Sequence, residues 1–282
     1  MKKNIKALLD LTTFELDRLS KFLYTLLGVT LLANLIGYIR TPMQYISRMN
    51  EFMSTQSATS QQALENFGSF SFYHAINTMW ISGPIALGIS GFLFYAVFIW
   101  YREWFGKNTF AYRLLMLPIP RMTLFFSKLI VIYIGIFSLI ATQIISFFVG
   151  FQLVSAIMPS EWLAGTTALE AIQMNPLFMY IIPVDTLYFM VINGIGLVFI
   201  IVLFTLILME RSFALKGIVL GIIYAGAALA LAVSPFFIDS ILQNYYMLYA
   251  SEILLIIIGI MTLIAVTSLL VSRHLLTKKI TI

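Results

Sequence analysis

Residues Leu129 to Phe151 read LIVIYIGIFSLIATQIISFFVGF, and none of those 23 positions carries a charge. About 20 consecutive apolar residues cross the hydrocarbon of a bilayer as a helix, so this stretch has the length of one membrane span. Working outward, five further uncharged intervals of similar character follow: Phe22 to Ile39, Met79 to Tyr101, Leu187 to Met209, Gly217 to Ile238 and Ile253 to Val271. A helix is the only open segment that satisfies its own backbone in lipid, so six transmembrane helices are expected. Composition agrees. The 282 residues are 61% hydrophobic and 10% charged, whereas soluble domains carry charge at about a quarter of their positions. With 24 Phe, 14 Tyr and 4 Trp there is too little polar surface to coat a soluble globule. The reading is an all-α integral membrane protein with one transmembrane domain over residues 1–282.

Orientation follows from the basic residues, which are retained on the cytoplasmic side during insertion. With both termini inside, 15 of the 17 Lys and Arg fall in inner segments and only Arg40 and Arg48 outside. Five carboxylates lie inside and seven outside, which leaves the inner face at +10 and the outer at −5. A basic inner face suits anionic lipid and needs no nucleic acid to explain it. The first span is read as retained rather than cleaved: Asp10, Glu15 and Asp17 precede it, and Arg40-Thr41-Pro42 offers no small-x-small cleavage pattern. The expected location is the plasma membrane, in a bacterium the inner or cytoplasmic membrane.

Residues 4–20 have a helical period, with Ile5, Leu8, Leu9, Thr12, Leu16 and Leu19 on one face and Lys3, Lys6, Asp10, Asp17 and Lys21 opposite. Such a helix, running into the first span, is expected to lie along the inner interface. Phe14 sits on the charged face. It is either a local irregularity or contact with a neighbouring span, or an aromatic anchor for a cytosolic partner.

The longest inner connection, residues 102–128, begins REWFGKNTFAYRLLMLPIPR over Arg102 to Arg121. Gly106 can end the arriving helix, Asn108 or Thr109 can cap a new one, and Pro118 and Pro120 push Leu117 and Ile119 out of helical geometry. A short helix from Thr109 to Leu117 remains. Its Phe110, Tyr112, Arg113, Leu114, Met116 and Leu117 are too apolar for a solvated loop, and aromatics with an Arg are residues that anchor protein interfaces.

An amphipathic N-terminal helix, six spans with both ends inside, and a loop reading acidic residue (Glu103), Gly, short helix, Leu-x-x-Leu-Pro-x-x-Arg (Leu114, Leu117, Pro118, Arg121), then Ser127-Lys128 together resemble the type-2 ABC transporter permeases. The architecture covers the whole chain, and the motif covers Glu103 to Lys128. Gly and Thr are adjacent in the family pattern, whereas here Gly106 and Thr109 are separated. The resemblance implies that Glu103, Phe110, Tyr112, Arg113, Leu114, Met116, Leu117 and Arg121, with Phe14 alongside, couple this chain to a separate P-loop ATPase. ATP and magnesium would bind on that partner, and a second permease, identical or not, would complete the path.

The outer connections are Arg40 to Thr78, Gln152 to Thr186 and Asp239 to Glu252. The first is long, with a weakly helical Gln56 to Phe67 stretch, and can form a small cap. Pro159, Pro176 and Pro183 interrupt the second. The third reads as an aromatic interfacial or shallow re-entrant piece.

Several chemistries lack their residues. No Gly-x-x-x-x-Gly-Lys-Ser/Thr phosphate loop occurs. There is no Cys, and His74 and His274 are the only histidines, so no metal site, zinc centre or His-based triad is expected. Gly194-x-Gly196 falls in mid-span and reads as helix packing, and Gly217-x-x-x-Gly221-x-x-x-Ala225 is a small-residue stripe, within the chain or across a dimer. No ionisable residue sits well inside a span, which argues against ion-coupled transport. Among polar residues at depth, Asn193, Gln143 and Ser146 are the candidate substrate contacts, and Asn34, Thr142 and Thr205 share that depth. The expected function is export of an amphipathic peptide, lipid-like molecule or drug. Alternatives are an antimicrobial-peptide resistance or sensing permease, an immunity protein, or a membrane-embedded enzyme. The enzyme reading lacks paired catalytic groups at depth.

Overall fold

The computed structural model describes residues 2–104, 119–182, 186–242 and 249–279. Within them the chain is all-α. The helices are α1 (Lys2–Gln56), α2 (Ser60–Phe67), α3 (Phe72–Ile76), α4 (Met79–Trp104), α5 (Met122–Ile157), α6 (Ala168–Gln173), α7 (Pro176–Ile181), α8 (Thr186–Phe213), α9 (Leu215–Leu242) and α10 (Ala250–His274), closed by a π-helical turn at Leu275–Lys279. Six of these, α1, α4, α5, α8, α9 and α10, are long and apolar enough to cross a membrane. Each of the six expected spans lies inside one of them, as a multi-pass membrane protein requires.

The helix ends differ from the sequence reading. No break separates an interfacial helix at residue 20 from a span at residue 22, because no Gly, Pro or cap intervenes there. Nor does α1 stop at Ile39. It runs 55 residues, about 80 Å at 1.5 Å per residue, which is well over twice the roughly 30 Å hydrocarbon core. Pro42 lies within it. The helix continues because Pro42, Tyr45, Ile46, Met49, Phe52 and Met53 recur at helical spacing and are the residues withdrawn from solvent there. It ends in a left-handed turn at Ser57, φ 49°, with the Ala58 amide donating to the Met53 carbonyl at 3.2 Å.

The chain divides into two compact units. One comprises Asp17–Phe92 and Tyr133–Phe189, and within it described residues of the first two long connections share one core, a small cap. Its core joins Tyr38, Met49, Phe70, Phe72, Phe147 and Phe178 with Trp162 and residues of α6. An isolated bridge pairs Phe70 with Leu163: the Phe70 amide donates to the Trp162 carbonyl and the Ala164 amide to the Phe70 carbonyl, both at 2.8 Å. Trp162 Nε1 donates to Ser60 Oγ at 2.9 Å, and Thr59–Gln62 and Thr167–Glu170 are capping boxes that start α2 and α6. Gly150 matters here, since a Cβ at that position would run into the Tyr38 ring.

The other unit comprises Met1–Leu16, Leu93–Ile132 and Met190–Ile282. Trp100, Phe125 and Phe204 meet at its centre, with Phe204 edge-on to the other two at centroid distances of 5.4 and 5.3 Å. Only Ala214, φ 51°, separates α8 from α9. So tight a connection presses the helices together, and a Cβ on Gly217 would collide with the Met209 carbonyl. Gly217 therefore packs within the chain, and Gly221 lies against Leu206.

Candidate functional site

Three charged residues occupy core positions of three helices within the second unit described above. On α4 the buried stripe is Phe92, Tyr95, Ala96, Ile99, Trp100, and its next member is Glu103. On α5, Lys128 sits among buried Leu124, Phe125, Val131 and Ile132. On α1, Glu15 lies with Leu8, Leu11, Thr12 and Leu19 in the stripe withdrawn from solvent. Lys128 is 1% exposed, Glu15 3% and Glu103 4%.

Burying a charge is tolerated only when it is paired and hydrogen-bonded, and here each charge has a partner of opposite sign. Lys128 Nζ lies 2.8 Å from Glu15 Oε1 and 2.5 Å from Glu103 Oε1, and it donates to the Ile99 carbonyl at 3.3 Å. An ammonium has three donors, and all three are used. The second Glu15 oxygen accepts from Arg102 NH2 at 2.8 Å. Two carboxylates thus balance two cations. The Trp100 ring lies 5.3 Å from Lys128 Nζ and closes one side.

Neighbouring contacts tie more helix ends to this cluster. The Tyr101 hydroxyl donates to Glu210 of α8, and the Arg211 guanidinium stacks over Tyr101 at 4.4 Å and faces Trp104 at 5.8 Å. Arg121, at the start of α5, donates to the Leu276 carbonyl at 2.5 Å.

The residues expected to couple to an ATPase are therefore placed as follows. Glu103 is in the ion cluster, Arg121 is half-buried against the turn after α10, and Phe14 is 39% exposed on α1. Phe110, Tyr112, Arg113, Leu114, Met116 and Leu117 lie outside the described residues. Glu15, Arg102 and Lys128 escaped the sequence reading as a site. The signal in Glu15 was partial: on a 100° helical wheel it falls about 20° beyond Leu8, at the edge of the apolar face of residues 4–20 and away from the charged face.

The polar residues at depth form separate groups. In the cap-bearing unit, Asn34 Nδ2 donates to Gln143 Oε1 at 3.0 Å and to Ser146 Oγ at 2.9 Å, and all three are buried. Gln143 and Ser146 thus face a helix neighbour. Asn193 is half-buried on α8. In the other unit, Thr205 is 2.9 Å from Ser272 Oγ, and the Tyr224 hydroxyl 2.7 Å from Ser268 Oγ, which joins α8, α9 and α10.

No protein-family model, curated protein or solved structure matches the chain.

Proposed function

We propose that this chain is the membrane-spanning permease of an ATP-driven transporter of the type-2 ABC class. It pairs with a second permease, and P-loop ATPase subunits hold ATP and magnesium. One observation supports this reading best. The Lys128 ammonium binds Glu103, which precedes residues 105–118, to Glu15 on the N-terminal helix, and Lys128 itself follows that segment. A force applied to residues 105–118 from the cytosol enters α4 and α5 through their charged ends. The ion cluster makes those ends move as one with α1, because separating them leaves a buried charge unpaired. A protein without a cytosolic motor has no use for an apolar, Pro-terminated segment mounted on such a brace. The predominantly apolar spans suit an amphipathic substrate, moved outward across the cell membrane.

The test is affinity purification of the full chain from its native membrane. A P-loop ATPase is expected to be retained, with hydrolysis that responds to amphipathic peptide. Tyr112→Asp with Leu114→Asp is expected to release it while the chain still inserts. Absence of any ATPase from the wild-type preparation, or undiminished retention by the double variant, overturns the proposal.

A further inference from the structure

A groove of about 600 Å³ runs between the first turns of α5 and the last turns of α10, within one unit. That volume lies inside the roughly 300–1,000 Å³ range of small-molecule clefts. Val266, Leu270, Arg273 and Thr277 line it from α10 and the turn beyond, at spacings of four, three and four that place them on one stripe. Met122 and Phe126 face them from α5. Its two charges lie at the same end. Arg121 is held beside the turn after α10 by its bond to the Leu276 carbonyl, and Arg273 begins the last turn before it. No carboxylate lines the groove, and no carboxylate pairs with Arg273 among the described residues. The remaining wall is apolar and exposed, with Val266 at 49% and Leu270 at 59%.

One cationic end and a long apolar body are complementary to an amphiphile with one anionic head. We propose that the groove binds an anionic phospholipid, its phosphate between Arg121 and Arg273 and an acyl chain along Phe126, Val266 and Leu270. Basic pockets between transmembrane helices suit such headgroups. A free phosphate leaves the apolar wall uncovered. A second copy joined symmetrically through this face sets arginine against arginine. The proposal rests on the membrane reading and stands whether or not the chain is a permease. Its consequence is mechanical: a lipid seated there joins the start of α5, seven residues before Lys128, to the end of α10.

The test is native mass spectrometry of the full chain in neutral detergent, titrated with phosphatidylglycerol, with phosphatidylcholine of the same acyl chains, and with glycerol 3-phosphate. One phosphatidylglycerol is expected to be retained about thirtyfold over phosphatidylcholine, from two basic contacts. Arg121→Gln with Arg273→Gln removes the preference, and the paired Arg→Lys changes keep most of it. Val266→Trp fills the groove and loses the lipid with every charge in place, which keeps the test decisive if the glutamine pair fails to fold. Equal retention of both lipids overturns the proposal. So does displacement of lipid by equimolar glycerol 3-phosphate, or a Val266→Trp protein that keeps its lipid and loses self-association instead.

Discussion

Lys128 and Glu15 stand 113 positions apart in the chain, yet the ammonium of one lies 2.8 Å from the carboxylate of the other, with less than a twentieth of either side chain exposed. Each has a second partner of opposite sign, Glu103 for Lys128 and Arg102 for Glu15, so every charge in the group is answered.

The pairing sets the outcome of removing charges singly and together. Lys128→Met leaves two carboxylates against one cation and is expected to cost about 3–5 kcal/mol. Adding Glu103→Gln restores balance, because Glu15 keeps Arg102, and is expected to recover a large part of the loss. Thermal denaturation of the detergent-solubilised protein measures both. A double variant less stable than Lys128→Met would show that the cluster is not held by charge balance.

The expected orientation is open to labelling in this Cys-free chain. Ser57 and Lys216 are exposed, whereas Ser272 is buried against Thr205 and is unsuitable as a reporter. An impermeant thiol reagent on intact cells is expected to modify Ser57→Cys and to reach Lys216→Cys only after permeabilisation. The reverse pattern inverts the topology and places the ion cluster on the wrong side for a cytosolic partner.

The α8–α9 connection supplies two substitutions of opposite sign. Gly217→Ala forces a methyl group into the Met209 carbonyl, which belongs to the backbone and has little room to yield. A loss at or above the upper end of the roughly 1–3 kcal/mol seen for overpacking is expected. Ala214→Gly relieves the left-handed backbone and is expected to gain up to about 1 kcal/mol. Unfolding scans of the two variants should move in opposite directions from wild type.

Asn34 and Asn193 should behave differently when changed to Leu. Asn34→Leu removes the donor to both Gln143 and Ser146, and its cost should approach the upper measured value of about 1.7 kcal/mol for such bonds rather than the average of about 0.6. Under the proposed transport function, Asn193→Leu, at a half-buried position, is expected to alter the substrate dependence of transport. Equal stability of wild type and Asn34→Leu would remove the polar trio from any structural role.

The sequence alone determined that the chain is helical and carries six segments able to cross a bilayer, because uncharged intervals of about 20 residues have one physical solution in lipid. Leu129 to Phe151 needed no partner to be read in this way. Helix ends were less legible. Arg40 and Pro42 look like a boundary from composition, and α1 passes through both because Met49 and its neighbours find a cap core that includes residues about a hundred positions away, among them Phe147 and Trp162. The ion cluster was hidden for a related reason. Lys128 looks like the charged flank of a span and Glu15 like part of a surface helix, and only the packing of α1, α4 and α5 withdraws them together from water. Charge is a local property of sequence. Whether a charge is solvated or paired depends on which helices meet, and that is decided by tertiary structure.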